Sequence, residues 1–249
     1  MNSVCVIPAR FASTRLPGKP LALIAGKPMI QWVYEQALKA DLIDRVIVAT
    51  DHEKIKEIVE LFGGEVVLTD PNLASGTDRV AKAVQDINTD IVINLQGDEP
   101  FVEPELLNKM VAVFTDPDIY MATPIRKIKY NEDLNDPHSV KVVKDINNFA
   151  LFFTRSTIPY LRGYESGEWT DKFSYYKHIG IYAYRKSFLN KLTVLPVSPL
   201  ENAEKLEQLR VLENGYKIYT IETEYESISV DTPEDLKKVN QINIKDKIG

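Results

Sequence analysis

Near its start the chain reads Ile7-Pro8-Ala9-Arg10-Phe11-Ala12-Ser13-Thr14-Arg15-Leu16-Pro17-Gly18-Lys19-Pro20-Leu21. The apolar run Val4–Ile7 predicts a first β-strand that breaks at Pro8 into a loop carrying three cations, Arg10, Arg15 and Lys19. Prolines and a glycine around the last two cations limit the directions in which they can point. Open α/β sheets bind ligands at the carboxyl ends of their strands, and fixed guanidinium and ammonium groups suit phosphate. We therefore expect a polyanion site here, with a solvated basic loop as the alternative.

Helices and strands alternate through the first half of the chain. Apolar spacing predicts helices at Pro28–Ala40, at Ile55–Phe62 before Gly63-Gly64, from Ser75-Gly76-Thr77 onward and at Leu106–Phe114, with strands at Arg45–Thr50, Glu65–Leu68 and Ile91–Leu95. The last run is apolar throughout, as in a strand buried on both faces of a parallel sheet. This pattern predicts an α/β fold with a doubly wound, mostly parallel sheet.

The second half predicts a mixed or antiparallel extension of that sheet, because its strand candidates follow one another without a clear helix between them. They are Tyr120–Ile128, Val140–Lys144, Phe149–Arg155 and Ile179–Arg185. The other expected elements are a mobile loop or lid at Pro159–Tyr175, a helix near Ala203–Glu213, a strand at Lys217–Glu222 and a closing helix from Pro233. Since no linker divides the chain, we expect a single domain over residues 1–249, with one part at about 1–118 and another at about 119–249.

Composition narrows the class of protein. The chain has 249 residues, 44% hydrophobic content and a net charge of −6, which allows a full core and argues against nucleic-acid binding. Cys5 is the single cysteine, so no internal disulfide can form and a buried core position is expected. The first residues lack a signal-peptide pattern, and no apolar run approaches the roughly 18 residues of a membrane span. We expect a cytoplasmic protein without a membrane partner.

Two acidic sites could complement the cationic loop. Asp98 and Glu99 follow the strand Ile91–Leu95, so at least one carboxylate should point toward the loop. Asp231 also lies between a strand and a helix, although Asp231 or Thr232 could instead cap that helix. Carboxylates that face a triphosphate usually bind Mg²⁺. Neither a Gly-x-Gly-x-x-Gly fingerprint nor a P-loop is present, so the cationic loop would have to hold the phosphates.

The three histidines do not have the spacing of a zinc site. His52 heads a predicted helix, and His138 lies in a polar turn with no assigned role. His178 precedes a strand beside Gly180, where a ligand could approach the backbone closely. Only His178 is therefore a candidate for ligand contact.

Seven runs, spread in one order over nearly the whole chain, carry a family resemblance. They are Ile7-Pro8-Ala9-Arg10 with Ser13–Leu21, Ser75-Gly76-Thr77-Asp78-Arg79, Leu95-Gln96-Gly97-Asp98-Glu99-Pro100, Val140-Lys141-Val142-Val143, Lys177-His178-Ile179-Gly180-Ile181-Tyr182, Leu206-Glu207-Gln208-Leu209-Arg210 and Val230-Asp231-Thr232-Pro233-Glu234-Asp235. Together they resemble the 3-deoxy-manno-octulosonate cytidylyltransferases, or CMP-Kdo synthetases. That family makes CMP-Kdo for bacterial lipopolysaccharide from CTP and the sugar acid Kdo (3-deoxy-D-manno-oct-2-ulosonic acid).

The resemblance implies a nucleotide-diphospho-sugar transferase-like fold, with nucleotide binding over about 1–118 and sugar binding and dimerisation over about 119–249. It implies that the nucleotide is bound by Ala9, Arg10, Arg15, Lys19, Ser75, Gly76, Thr77, Arg79 and Gln96. It implies that the sugar acid is bound by Arg155, His178, Gly180, Tyr182, Glu207 and Gln208. Asp98 and Asp231 would carry Mg²⁺ and, with Lys19, form the catalytic set. The anomeric hydroxyl of Kdo would attack the α-phosphorus of CTP and expel pyrophosphate.

Several alternatives stay open on the sequence alone. The family usually has glycine where this chain has Ser229, whose side chain could crowd the backbone beside the metal. The substrate could be 8-amino-Kdo or a sialic-acid-like sugar acid instead of Kdo. A glycosyltransferase is disfavoured because Asp98 is not part of an Asp-x-Asp motif, and a non-catalytic nucleotide-binding protein would not need both carboxylates. The family is typically homodimeric, so we expect a homodimer.

Overall fold

The computed structural model describes residues 1–12 and 15–242, which form strands and helices in the following order. The strands are β1 Ser3–Ala9, β2 Leu23–Ile24, β3 Lys27–Pro28, β4 Arg45–Thr50, β5 Val66–Leu68, β6 Ile91–Asn94, β7 Met121–Lys127, β8 Lys141–Lys144, β9 Ala150–Thr154, β10 Tyr176–His178, β11 Tyr182–Arg185 and β12 Tyr219–Glu222. The α-helices are α1 Met29–Leu38, α2 Glu53–Leu61, α3 Gly76–Ala83, α4 Pro104–Ala112, α5 Asn131–Asn135, α6 Trp169–Lys172, α7 Lys186–Leu192, α8 Pro199–Glu204, α9 Gln208–Glu213 and α10 Pro233–Val239. Short 3-10 helices lie at Lys19–Leu21, Val113–Thr115 and Ser166–Glu168. Over these described ranges no helix has the length and apolar character needed to cross a lipid bilayer.

A ten-stranded mixed sheet organises the described chain. Its order is β5-β4-β1-β6-β11-β7-β10-β8-β9, and β12 pairs with β7. The four strands β5, β4, β1 and β6 are parallel to one another. β11 enters antiparallel beside β6, and antiparallel pairs continue through β7, β10, β8 and β9. The predicted α/β fold, a mostly parallel sheet with a mixed extension in the second half, is confirmed.

β1 lies in the middle of the core because its side chains alternate between the two faces of the sheet. Cys5 and Ile7 pack in one apolar cluster, whereas Val4 and Val6 pack in another. All four residues are at most 3% exposed. Burial raises the pKa of the Cys5 thiol, so this cysteine is a core residue, as expected.

The first strand does not break at Pro8, as the sequence suggested, but continues to Ala9. Pro8 pairs in register with Ala49 of β4. On the other side of β1, β6 pairs only as far as Asn94, which lies opposite Val6. A proline is tolerated where no partner strand needs its missing N–H. The cationic loop therefore begins one residue beyond the strand, at Arg10.

Two expectations for the second half are wrong in detail. The single helix expected near Ala203–Glu213 is split into α8 and α9, because Lys205 has a left-handed backbone with a φ of 55°. The strand expected at Ile179–Arg185 begins only at Tyr182, and β10 precedes it as a separate strand. Lys205, and Gly180 between β10 and β11, both line a cavity of the site described below.

The segment Pro159–Tyr175 is packed rather than irregular. It contains a 3-10 turn followed by α6. Trp169 and Tyr175 are buried against Ile128 and Leu134 in a small apolar cluster. Two aromatic side chains therefore anchor the segment to the body of the fold, and its motion as a loop or lid stays a prediction.

Candidate active site

A cavity of about 440 Å³ opens beyond the carboxyl ends of β1 and β6. We call it the cationic cavity because Arg10, Arg15 and Lys19 line it. Its other lining residues are Pro8, Ala9, Ala12, Pro20, Ala74, Ser75, Gly76, Gln96, Gly97, Asp98 and Asp231. The three cations and the two aspartates expected around a triphosphate therefore meet in one place.

Lys19 joins the two aspartates. Its Nζ donates to Asp98 Oδ2 at 2.7 Å and to Asp231 Oδ1 at 2.9 Å. Arg15 adds an ion pair, with 3.3 Å between its Nη2 and Asp231 Oδ2. Burial acts to lower the pKa of Lys19, but the two carboxylates outweigh it and hold this pKa above its usual value. Asp98 and Asp231 thus converge on one charged ammonium group.

The turn before α10 separates the two roles that the sequence left open for Asp231 and Thr232. Thr232 caps the helix, because its side-chain oxygen accepts from Asp235 N. On the other side of Asp231, Val230 N donates to Asp98 O at 3.1 Å and holds the two segments together. The carboxylate of Asp231 is therefore not needed for the cap and is available to the cavity.

Glu99 holds the segment that leads to Asp231. Tyr225 Oη donates to Glu99 Oε2 at 2.7 Å, and Ser227 Oγ donates to its other carboxylate oxygen. Burial raises the pKa of Glu99 to about 7, although the two hydrogen bonds oppose this shift. These contacts, which the sequence did not reveal, explain how a residue as distant in the chain as Asp231 reaches Asp98.

Gly18 turns the cationic loop just before Lys19. Its φ of 67° is a left-handed conformation that favours glycine. The Arg15 side chain is 65% exposed and so accessible to a ligand. The Arg10 side chain is held in place, because its Nη2 donates to Leu73 O at 2.6 Å. Ser13 and Thr14, which belong to the same predicted loop, lie outside the described residues.

Gly97 lets the loop that carries Asp98 lie close to β1. A Cβ at this position would be 3.2 Å from Pro8 O, closer than an ordinary van der Waals contact. The preceding residue, Gln96, donates from Nε2 to Asn94 Oδ1 at 3.0 Å. The end of β6 therefore orients the Gln96 amide in the wall of the cavity.

Ser75 and Gly76 reach the cationic cavity because α3 begins there. Ser75 caps this helix in a capping box with Asp78. Thr77 faces away from the cationic cavity and hydrogen-bonds the Glu207 carboxylate. Burial raises the pKa of Glu207, and the Thr77 hydrogen bond opposes that shift.

Arg79 does not line the cationic cavity. Its side chain is fully buried and pairs with Asp51, with 3.1 Å between Nη2 and Oδ2, and it also donates to Thr69. Asp51 Oδ1 in turn accepts from Phe11 N at 3.2 Å, within the cationic loop. Arg79 therefore supports the loop through Asp51, and its direct contact with nucleotide stays a prediction.

Two further cavities adjoin the first. The acidic cavity, of about 460 Å³, shares Gln96, Asp98 and Asp231 with the cationic cavity and is also lined by Glu99, Asp133, Asp136, His138, Ser139, Val140, Lys177, His178, Ile179, Gly180, Ser227 and Ser229. The side cavity, of about 350 Å³, is lined by Gly76, Thr77, Asn94, Gln96, His178, Gly180, Tyr182, Lys205, Leu206, Glu207 and Gln208. The side chain of Ser229 is exposed on the cavity wall. Five of the six residues predicted for the sugar acid thus line one or both of these cavities.

Arg155 is the sixth of these residues, and it lies outside all three cavities. Its Nε donates to Glu204 O at 2.8 Å, and its Nη1 donates to Pro137 O at 3.0 Å. The guanidinium therefore ties the turn before β8 to the end of α8. Its contact with a sugar acid stays a prediction.

The structure also brings to the acidic cavity residues that the sequence did not single out. They include Asp133, Asp136, His138, Ser139 and Lys177. Four of them lie in or next to the polar turn that contains His138, which precedes the run Val140–Val143. The available signals were that proximity and the place of Lys177 in the family run Lys177–Tyr182, whereas the position of the turn depends on the pairing of β8 with β10.

His178 is enclosed by neutral groups. Its ring centroid lies 5.2 Å from that of Phe153 and 5.4 Å from that of Tyr182, and its Nε2 is 3.0 Å from Thr123 Oγ1. Burial lowers the pKa of His178 to about 3, from an ordinary value of 6.5. As the pH falls from 6.5 toward 3, the His178 ring takes up a proton in the unfolded chain but stays neutral in the folded one. Protonation thus favours the unfolded state, and the free energy of unfolding falls over this pH range.

We expect His178→Gln to remove this pH dependence. Between pH 7.5 and 5.0 the free energy of unfolding should fall by about 1–2 kcal/mol more in the wild type than in the variant, as measured by urea denaturation. His138→Gln, at an exposed histidine, is the matched control and should keep the wild-type pH dependence. Parallel pH profiles for wild type and His178→Gln would show that the buried ring is not the cause.

Comparison with known proteins agrees with this geometry. The sequence model of a family described as cytidylyltransferase matches residues 4–221. Over 244 residues the chain is 50% identical to the 3-deoxy-manno-octulosonate cytidylyltransferase of Parabacteroides distasonis, with 96% of each chain covered. It is 48% identical to the protein of the same name from Porphyromonas gingivalis, with 94% of each covered. The solved structure of a CMP:2-keto-3-deoxy-manno-octonic acid synthetase complexed with CTP is 42% identical, with a TM-score of 0.92 and coverage of 99% of this chain and 100% of that one.

The mixed α/β sheet, the cavities at its carboxyl edge and the family match together define an enzyme of the nucleotidyltransferase class, and within it a cytidylyltransferase. Sequence identities of 50% and 48% over nearly the whole chain establish membership of the same family as these two relatives. The chain belongs to the 3-deoxy-manno-octulosonate cytidylyltransferase family.

Proposed function

We propose that the protein transfers the cytidylyl group of CTP to Kdo, giving CMP-Kdo and pyrophosphate. One observation carries the chemistry: Lys19 Nζ lies 2.7 Å from Asp98 and 2.9 Å from Asp231, so the cationic loop and two remote acids share one cavity. Family membership supplies the substrates, because the relatives that match over nearly their whole length are named for this reaction.

The two substrates are assigned to adjoining cavities. CTP takes the cationic cavity. The sugar acid spans the side cavity, which all five of its predicted cavity residues line, and the acidic cavity, which shares Gln96, Asp98 and Asp231 with the cationic cavity. The α-phosphate at this shared wall is then within reach of the anomeric hydroxyl. The hydroxyl oxygen attacks the α-phosphorus in line and gives up its proton to water. The bond to the β-phosphate breaks, and pyrophosphate leaves with the electron pair. Arg15 and Lys19 offset the negative charge that develops on the leaving group.

We further propose that Asp98 and Asp231 hold Mg²⁺ together with CTP. Their oxygens already share one cation, the Lys19 ammonium. Mg²⁺ usually takes one or two protein carboxylates and completes its octahedron from phosphate and water, so this pair of donors fits it. When bound, the ion supplies Lewis-acid polarisation of the α-phosphate. The two carboxylates would hold the ion beside the cationic loop.

Pyrophosphate release with CTP, Mg²⁺ and Kdo tests the assignment, with 8-amino-Kdo and a sialic acid measured alongside. We expect Kdo to give the highest kcat/KM and no release when CTP, the sugar or Mg²⁺ is omitted. A higher kcat/KM for another sugar acid would reassign the substrate within the same chemistry. Absence of release with every sugar acid would contradict the transferase proposal.

A homodimer formed through the second half is also proposed. The edge strand β9 exposes Leu151, and the turn before it exposes Ile146 almost completely. Exposed apolar side chains at the edge of a sheet are typical of surfaces that another chain covers. Sedimentation velocity should give twice the monomer mass, and a monomer at every concentration would contradict the proposal. The cytoplasmic location expected from the sequence stays a prediction.

A further inference from the structure

A sugar acid brings a carboxylate into a cavity that already carries many acidic groups. Five acidic side chains line the acidic cavity: Asp98, Glu99, Asp133, Asp136 and Asp231. The cations at its border, Arg15 and Lys19, are paired with two of these and face the triphosphate site. Like charges placed together disfavour binding, so an anionic sugar needs a cation of its own within this cavity.

Lys177 is the cation that the lining of the acidic cavity offers. His178, beside it, is neutral because burial keeps its pKa at about 3. Lys141 lies on the neighbouring strand, but it is fully buried and its Nζ donates to Asp136 O at 2.8 Å. Arg155, which the family resemblance places on the sugar-acid side, donates to two main-chain carbonyls.

The position of Lys177 is fixed by the sheet. β10 lies between two partner strands, with Lys177 opposite Arg126 of β7 and Lys141 of β8. The residue is half-buried, and among residues 1–12 and 15–242 its ammonium has neither a hydrogen bond nor an ion pair. Pairing on both sides fixes the backbone of Lys177, so an anionic group that enters the cavity has only the lysine side chain left to order.

We propose that Lys177 binds the carboxylate of the sugar acid and thereby selects acidic over uncharged sugars. The inference rests on the proposed function, because it takes a sugar acid as the occupant of the acidic cavity. The ammonium offsets the substrate charge and donates charge-assisted hydrogen bonds to the carboxylate oxygens. Binding of CTP in the cationic cavity does not involve Lys177, which is absent from the lining of that cavity.

The test compares wild type with Lys177→Met, which removes the charge at similar length, and with Lys177→Arg, which retains it. For Kdo we expect Lys177→Met to raise KM by about 10–100-fold, while KM for CTP changes less than about threefold. Lys177→Arg should recover most of the Kdo affinity. The Kd for CTP by calorimetry should be unchanged in both variants, which shows that the nucleotide site is intact.

A substrate analogue makes the assignment specific. The C1 carboxamide of Kdo has no charge, so loss of Lys177 should change its kcat/KM by less than about threefold, against the 10–100-fold loss for Kdo itself. Equal losses for Kdo and its carboxamide would overturn the proposal, as would an unchanged KM for Kdo in Lys177→Met. Lys127→Met removes an exposed lysine of β7 and serves as the matched control, for which no effect is expected. If the wild type used no sugar acid at all, the proposed function itself would be wrong. If the wild type used Kdo but the Lys177 variants did not differ from it, only the Lys177 proposal would be wrong.

Discussion

Replacing Asp98 with asparagine is expected to lower kcat for pyrophosphate release from CTP and Kdo by about a thousandfold or more. The amide keeps the size of the side chain but removes the charge that, with Asp231, is proposed to position a cation at the α-phosphate. The fold should remain, because Asp98 O still accepts from Val230 N and Glu99 still binds Tyr225. The melting temperature should therefore stay within a few degrees of the wild-type value. Steady-state kinetics and a thermal melt check both parts.

Asp118→Asn is the matched control for this variant. Asp118 is exposed in the turn before β7, at the edge of the sheet opposite the site, so the same loss of charge there should leave kcat unchanged. Near-normal turnover in Asp98→Asn would refute the role assigned to this carboxylate. A large drop in melting temperature would instead indicate that Asp98 holds the fold.

The second large effect is expected from Lys19→Met, which should lower kcat/KM for CTP by about a hundredfold. Lys19 contacts both aspartates, and we propose that its ammonium also offsets charge on the departing pyrophosphate. The preference for Kdo over other sugar acids should not change, because Lys19 is not part of the acidic cavity lining. Kinetics with each substrate varied in turn separate the two effects.

For this comparison Lys109→Met is the control, since Lys109 is an exposed lysine on α4 and should tolerate the change. If Lys19→Met altered the choice of sugar while CTP kinetics stayed normal, the cationic loop would have been assigned to the wrong substrate.

The local parts of the site could be predicted from the sequence because short-range chemistry determines them. The cap at Ser75, the turn at Gly18 and the apolar strand before Asp98 each follow from neighbouring residues. The alternation of helices and strands predicted the parallel half of the sheet for the same reason. The distance between residues far apart in the chain could not be predicted in this way. Only the family resemblance placed Asp231 and Asp98 at one metal site. In the structure, the hydrogen bonds that Tyr225 and Ser227 donate to Glu99 hold the two segments together.

Other features depend on tertiary contacts that no local pattern encodes. The split between α8 and α9 depends on a left-handed Lys205 that has no glycine to announce it. Pro8 was expected to end β1. It stays within the strand because β6 pairs only as far as Asn94, so no strand on the β6 side needs the N–H that proline lacks. The family resemblance implies ligand contacts for Arg79 and Arg155, but no local pattern shows that Arg79 pairs with Asp51 or that Arg155 donates to main-chain carbonyls.

The convergence of the cationic loop, Asp98 and Asp231 on a single triphosphate is tested most directly by a crystal structure with CTP and Mn²⁺ as an anomalous scatterer in place of Mg²⁺. We predict an anomalous peak at coordination distance from both carboxylates and from a phosphate oxygen, with Arg15 and Lys19 on the β- and γ-phosphates. A manganese ion bound away from Asp98 and Asp231, or a triphosphate that does not contact Lys19, would contradict the account.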